Sequence, residues 1–389
     1  MEKAIYFVGA GVSKALELNA DTPVPLLSDF VKVAAHYAAT DNSNIIILTL
    51  AGLERLGRFK WESSEALRLA RAFKPNKPDP ALIAALVVAF RRRPSESVED
   101  LLARDDKGAS FRESVLFDAP VRFRYAISRV FRMIGWSVSL DLLKRYLTVR
   151  FAQVDTHSFV SFNYDLFLDR AVSTVLPNWR WHCGYGYELG YSTSTDPSDG
   201  DEDVSAAPSH VCSTKVRILK PHGSLNWLLP FGHPGATMPF EDGPTVVRVN
   251  DDGLPEYLGT LPDWAKVRLP NASLPYPVEP GIIAPVKRKD ANLSIFKDIR
   301  NEEVVAIRDA GEALVLGWSM PQSDDDQTSL IRHAVTLRNA PLQRVVAVNR
   351  NQTPEYFERV ADVFGVPLDR VEVWNDGFGD YVDAVVARG

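Results

Sequence analysis

AIYFVGAGVS, Ala4 to Ser13, decides how the rest of the chain reads. Ala4 to Val8 are uncharged and rich in aromatic and β-branched side chains, and they run straight into Gly9. That pattern predicts a strand buried on both faces of a parallel sheet. Gly9 and Gly11 flank Ala10, so backbone there can approach a ligand closely, and Ser13 stands where a helix would begin and could cap it. Unpaired N–H groups at such a helix start favour an anion such as a pyrophosphate. The third glycine of the full dinucleotide fingerprint is missing, because Lys14 takes its place. An ordinary strand-to-helix turn is therefore the competing reading.

The chain has 389 residues, 46% hydrophobic and 24% charged, enough to bury a substantial core. One large domain with a sizeable insertion, or two domains, is expected. A net charge of -6 argues against nucleic-acid binding as the main task. The basic triplets at 91–93 and 287–289 read as solvated helix ends or loops. Cys183 and Cys212 form no CxxC pair, so neither a disulfide framework nor a four-cysteine zinc site is expected. With no signal-like start and no apolar run of about 18 residues, a cytoplasmic protein with no membrane span is expected.

After the glycine turn, residues 16–25 carry Asn19, Asp21, Thr22 and two prolines, loop chemistry that would lie over whatever the turn binds. From 26 to 150 apolar residues recur at helical spacing, as in Leu27, Phe30, Val31 and Ala34 and again in Phe123, Ile127, Val130 and Phe131. An all-helical insertion of roughly six or seven helices is predicted. Strand character returns at 158–162 and breaks into Asn163-Tyr164-Asp165 before a helix over 166–176. Ligands of a doubly wound sheet collect at the carboxyl ends of its strands, so both turns would face one crevice. Asn163 and Asp165 are site candidates on that ground; both also cap helices well, which is the plainer alternative.

Residues 192–209, rich in Ser, Asp and Gly with an acidic run at 201–203, predict a mobile surface loop. A strand at 216–219 ends in KPHGSLNW, residues 220–227. Its His222 sits on a stiff turn between Pro221 and Gly223, suited to general-base work or to a structural role. Pro and Gly density predicts irregular chain over 231–278 with hairpin strands at 245–249, then a short strand at 282–285. An apolar strand at 313–317 breaks into WSMPQSD, followed by a helix at 327–338, a strand at 344–348 ending in Asn349, a helix at 354–364 and a strand at 371–374. Strands alternating with helices predict an α/β fold, a parallel sheet covered on both faces.

Five strand-end motifs thus stand in order: GAGVS at Gly9 to Ser13, FNYD at Phe162 to Asp165, KPHGSLNW at Lys220 to Trp227, GWSMPQSD at Gly317 to Asp324, and VNRN at Val348 to Asn351. Together they resemble the SIR2-like (sirtuin) superfamily, over residues 1 to about 22 and 155–389. The helical block looks like the insertion of the SIR2-like proteins of bacterial antiphage defence. The resemblance implies a Rossmann-like, doubly wound domain made of 1–25 and 151–389, a helical insertion domain at 26–150, and NAD+ as ligand. Ala10, Gly11 and Ser13 would hold the pyrophosphate, Gly317 and Ser319 would lie against phosphate and ribose, and Asn349 would take the adenosine ribose. Gly9, Pro25 and Asp324 complete the implied cofactor-binding set. Asn163 would orient a water or the nicotinamide-side ribose, Asp165 would hold the carboxamide, and His222 would act on the ribose hydroxyls as base.

Cleaving the nicotinamide N-glycosidic bond expels a neutral group from a cationic ring, so positioning and charge stabilisation carry most of the rate. The chain departs from protein-deacylating sirtuins in lacking a four-cysteine zinc ribbon, and the run from Pro25 to Phe30 only partly echoes their proline-aspartate-phenylalanine-arginine loop. Water is then the simpler acceptor. The expected activity is an NAD+ glycohydrolase (NADase) that yields nicotinamide and ADP-ribose and depletes NAD as the effector of abortive antiphage defence. An NAD-dependent protein deacylase and a non-catalytic sensor of NAD or ADP-ribose are the alternatives. Homo-oligomers are expected, with a separately encoded HerA-like ATPase or an Argonaute-like protein as partner; zinc, membrane and direct nucleic-acid contacts are not.

Overall fold

The uncharged opening run forms β1 (Lys3–Val8), buried from Ala4 onward, in a computed structural model of the chain. The structure describes residues 3–16, 24, 131, 134, 138–179, 184–185, 190–192, 201–203, 215–230, 246–248, 266–268, 276–282 and 294–388. After β1 come α1 (Ala10–Lys14), α2 (Asp141–Gln153), β2 (Thr156–Ser161), α3 (Phe167–Val175), β3 (Gly190–Ser192), β4 (Asp201–Asp203), β5 (Val216–Leu219), β6 (Gly223–Pro230) and β7 (Val246–Arg248). Then follow β8 (Lys266–Arg268), β9 (Tyr276–Ile282), α4 (Ser294–Asp309), β10 (Glu312–Leu316), α5 (Asp325–Thr336), β11 (Arg344–Val348), α6 (Pro354–Phe364), β12 (Val371–Trp374) and α7 (Phe378–Arg388).

Six of these strands form one sheet in the order β12-β11-β10-β1-β2-β5, with every neighbouring pair parallel. Counted by their appearance in the chain, they run third, second, first, fourth, fifth, sixth from the β5 edge. That is the doubly wound, Rossmann-like order, and its direction reverses between β1 and β10. Successive side chains of a strand point to opposite faces. Tyr6 meets Tyr146 of α2 edge-on with ring centroids 6.5 Å apart, whereas the next residue, Phe7, meets Phe364 of α6 at 5.2 Å. Helices therefore cover both faces, with α3 and α7 packed on α2, and α5 bridging α4 and α6. Ile5 and Phe7, fully withdrawn from water between these layers, contribute roughly 2 kcal/mol each.

A second sheet, β3-β7-β6-β9-β8-β4, has β6 antiparallel to both β7 and β9. Here the structure corrects the sequence reading. Residues 223–230, read as the tail of a turn, are a strand, and β9 begins at Tyr276 inside the expected irregular stretch. The acidic run at 201–203, expected in a mobile loop, is strand β4, because backbone pairing with β8 overrides its composition. Helix α4 is new: its buried stripe runs Phe296, Ile299, Glu303, Ile307, and the carboxyl in the middle hides the apolar period.

Helix α2 straddles the expected boundary at 150 and buries Leu143, Tyr146, Leu147 and Arg150. Residues 26–130 of the expected helical insertion lie outside the described residues, as do Pro25, Cys183, Cys212, both basic triplets and positions 283–285. Among the described residues, no helix is long and apolar enough to cross a membrane.

Candidate active site

In an open α/β sheet the crevice for a ligand lies beyond the carboxyl ends of the strands, where the strand order reverses. Here that point is the seam between β1 and β10, and the loops that follow the two strands touch. Gly9 N–H donates to Leu316 O and Gly11 N–H to Gly317 O, both at 2.9 Å. A Cβ on Gly9 would stand 2.4 Å from Trp318 Cα, and one on Gly317 would stand 2.5 Å from Val12 N. Gly317 also has a φ of 62°, which favours glycine. The glycines of GAGVS and GWSMPQSD thus serve first to seat backbone on backbone, and Gly11 N–H is taken up by that contact. Ser13 does not cap α1; Gly9 holds the cap position, and Ser13 lies inside the five-residue helix with its side chain buried.

The buried Ser13 joins the next turn. Its hydroxyl donates to Asp165 Oδ2 at 2.7 Å and accepts from Asn163 Nδ2 at 2.9 Å, while the same Asn163 amide donates to Gly9 O at 3.0 Å. Asp165 Oδ1 accepts from Phe167 N–H at 3.0 Å, so this carboxylate starts α3 and belongs to the cluster as well. Burial pushes the Asp165 carboxyl above its usual range, opposed by the Ser13 hydroxyl, the Lys220 ammonium and the Phe167 N–H.

Beneath the turn, Lys220 is fully buried; its Nζ donates to Asp165 O at 2.7 Å and lies 3.0 Å from Asp169 Oδ2. The Tyr185 hydroxyl donates to the other Asp169 oxygen. A buried charge persists only when it is partnered in this way, and the pair anchors the turn bearing Asn163 to the turn bearing His222. Leu225 N–H, just past that second turn, donates to Tyr164 O at 3.0 Å and closes the link.

His222 is 6% exposed. Its Nε2 lies 3.5 Å from Asp324 Oδ1, and Trp318 Nε1 donates to Asp324 Oδ2 at 3.0 Å. Phe162 stacks on Trp318 with ring centroids 4.2 Å apart and is tilted toward the His222 ring at 5.4 Å. The loop that carries Trp318 is held from α6: Tyr356 OH donates to Trp318 O at 2.6 Å, and Arg359 donates to Met320 O at 2.7 Å. Asn349 Nδ2 also reaches Trp318 O, at 3.4 Å, and its Oδ1 accepts from Arg350 N–H at 2.9 Å. Met320 has a φ of 50°, a conformation that costs a non-glycine residue roughly 1–3 kcal/mol and persists only where the surroundings enforce it. Ser319 is exposed between the buried Trp318 and Met320.

The structure therefore gathers Gly9, Gly11, Ser13, Asn163, Asp165 and Gly317 into one hydrogen-bonded junction. His222 and Asp324 meet beside it, and Asn349 braces the loop between them. Ala10 is half-buried at the turn.

No protein-family model and no curated protein sequence matches the chain. Among solved structures, a complex of a Sir2 homologue with NAD superposes with a TM-score of 0.39 at 11% identity, covering 99% of this chain and 88% of that one. A Sir2 homologue mutant with ADP-ribose has the same TM-score and identity and is covered over 91% of its length. A Sir2 enzyme solved for its mechanism and regulation gives 0.37 at 12% identity, over 99% of this chain and 92% of that one. Scores this low leave strand order, rather than superposition, as the ground for the fold.

Three contributors escaped the sequence reading. Lys220 was legible only as part of a motif, although an uncompensated lysine at the end of an apolar strand signals a buried partner. That partner, Asp169, stands among Leu166, Phe167, Leu168, Ala171 and Val172, an acidic residue inside an apolar helical stretch. Tyr356 carried no local signal.

Proposed function

We propose that this crevice binds NAD+ and that water cleaves its nicotinamide N-glycosidic bond, giving nicotinamide, ADP-ribose and a proton. One observation carries the reading: Asn163 and Asp165 of one strand-end turn both hydrogen-bond to the Ser13 hydroxyl of another, at the seam where the strand order reverses, with His222 entering from the next strand. The five motifs supply the substrate class by resemblance. Departure of a neutral group from a cationic ring needs no strong acid; fixed dipoles and a carboxylate suffice to stabilise an oxocarbenium-like transition state.

In this reading Asn163 orients the water or the adjoining ribose, Asp165 takes the carboxamide, and His222 accepts the proton. The turn at 9–11 and the loop from Gly317 to Ser319 present backbone to the pyrophosphate and ribose, and Asn349 stands on the adenosine side. The biological role that goes with it is NAD depletion as an abortive antiphage effector, gated by homo-oligomerisation and by a separately encoded HerA-like ATPase or Argonaute-like partner. That role is supported by the likeness of the helical block alone.

The test is nicotinamide release from NAD+ by the purified protein with its activating partner supplied, followed chromatographically. Asn163→Ala and His222→Ala should each lose roughly 10²–10⁴-fold in rate. Wild-type protein that releases no nicotinamide, or release from both variants at the wild-type rate, overturns the proposal. Turnover that requires an acylated peptide would make the protein a deacylase instead.

A further inference from the structure

We propose that Asp324 is a positioning residue for His222, acting through the imidazole and not through the cofactor. The kinetic side of this proposal rests on the hydrolase reading; its spectroscopic side rests on geometry alone.

Asp324 stands at the end of the helical turn Gln322–Asp324 and is 4% exposed. Its two oxygens face two ring nitrogens. Trp318 Nε1–H can only donate, and it occupies Oδ2 at 3.0 Å, which turns Oδ1 toward His222 Nε2 at 3.5 Å. A carboxylate facing Nε2 favours the tautomer with its proton on Nε2 and its lone pair on Nδ1. Trp318 is itself immobilised by the Phe162 stack and by Tyr356 and Asn349 at its carbonyl. A chain of rigid contacts thus runs from α6 through Trp318 and Asp324 to His222.

When His222 takes up a proton, the imidazolium forms beside a buried carboxylate, which favours the charged form. The same carboxylate is a poor cofactor contact, because it would face the negative charge of a pyrophosphate with both oxygens already engaged. Among the described residues, Tyr164 in the turn after β2 also faces His222, with ring centroids 6.3 Å apart, and the Asp165 and Lys220 side chains belong to the two turns joined there, Lys220 Nζ donating to Asp165 O at 2.7 Å.

The experiment combines pH–rate profiles with imidazole ¹⁵N spectra of wild type, D324N, D324E and W318F. D324N keeps the volume of the side chain but is expected to lose at least about tenfold in kcat, with KM for NAD+ within about twofold of wild type. Its His222 should lose the Nε2–H preference, and the titration midpoint of the ring should move to lower pH, because the neighbouring charge is gone. D324E should recover part of the rate. W318F, which leaves both partners in place but unfastens the carboxylate, should shift the tautomer ratio in the same direction and serves where D324N does not fold. Unchanged His222 spectra in D324N and W318F, or a raised KM with kcat intact, would overturn the proposal. A wild-type enzyme that releases no nicotinamide sinks the hydrolase reading alone, since the spectra still decide whether Asp324 governs His222.

Discussion

The Ser13 hydroxyl joins two turns that are 152 positions apart in the chain, giving its proton to Asp165 and accepting one from Asn163. Ser13→Ala leaves a buried carboxyl and a buried amide each one partner short. It should cost about 1–3 kcal/mol, read as a lower urea midpoint at unchanged slope. A wild-type midpoint would mean that the junction contributes nothing. Glu303 is a different case, for it sits in the apolar stripe of α4 with no hydrogen-bond partner on Oε2 among the described residues. Burial pushes it up to about 8, with Arg300 pulling down and Asp326 pushing up. The native state therefore keeps a proton that the unfolded chain gives up near 4.5, so this contribution is complete below 4.5 and is lost as pH rises toward 8.

At the scale of elements, the amino ends of the strands are tied by a polar chain that the site does not use. Arg150 of α2 donates from Nε to Tyr6 OH at 3.2 Å, the Tyr6 hydroxyl pairs with His157 Nδ1 at 3.0 Å, and His157 Nε2 faces Val154 O at 3.0 Å. Arg150 also pairs with Glu312 at the start of β10, which Arg344 of β11 approaches at 3.3 Å. Burial drives the His157 imidazole down to about 4, with the Val154 carbonyl opposing and the Arg150 charge assisting. A depressed histidine works in the sense opposite to Glu303: its contribution is complete above 6.5 and is lost as pH falls toward 4. Between about 4.5 and 6.5 the two slopes, each up to about 1.4 kcal/mol per pH unit, oppose each other. Glu303→Gln should therefore leave stability rising with pH across that window, and His157→Gln should leave it falling. Urea unfolding at pH 4.5, 5.5 and 6.5 checks this, and slopes that match wild type in both variants refute it.

For the whole molecule, a ligand at the seam between β1 and β10 bridges turns from both halves of the sheet, so its binding energy should appear as global stability. A ligand at a hundred times its Kd adds about 2.7 kcal/mol. His222→Ala, which should not consume the substrate, is expected to melt several degrees higher with saturating NAD+ or ADP-ribose. No rise with either ligand would count against a dinucleotide crevice here.

By itself the sequence determined the α/β class and several element boundaries to the residue. Val216–Leu219, Arg344–Val348 and Val371–Trp374 are short stretches rich in β-branched residues between polar breaks, each with one charged residue, and Pro354–Phe364 is bracketed by Pro354 and by Gly365 at a φ of 63°. It also set out the chemistry-bearing residues at strand ends, since turn composition and residue type are local properties. β6 stayed hidden because its partners lie far along the chain, as in the pairing of Gly223 with Ile282, and α4 because a buried carboxyl interrupts its stripe. Only the tertiary structure decided which side chain faces which: that Ser13 binds Asp165 instead of capping a helix, and that Asp324 turns to His222. Such partnerships follow from the order of strands in the sheet, which the packing of the entire chain selects and no single motif encodes.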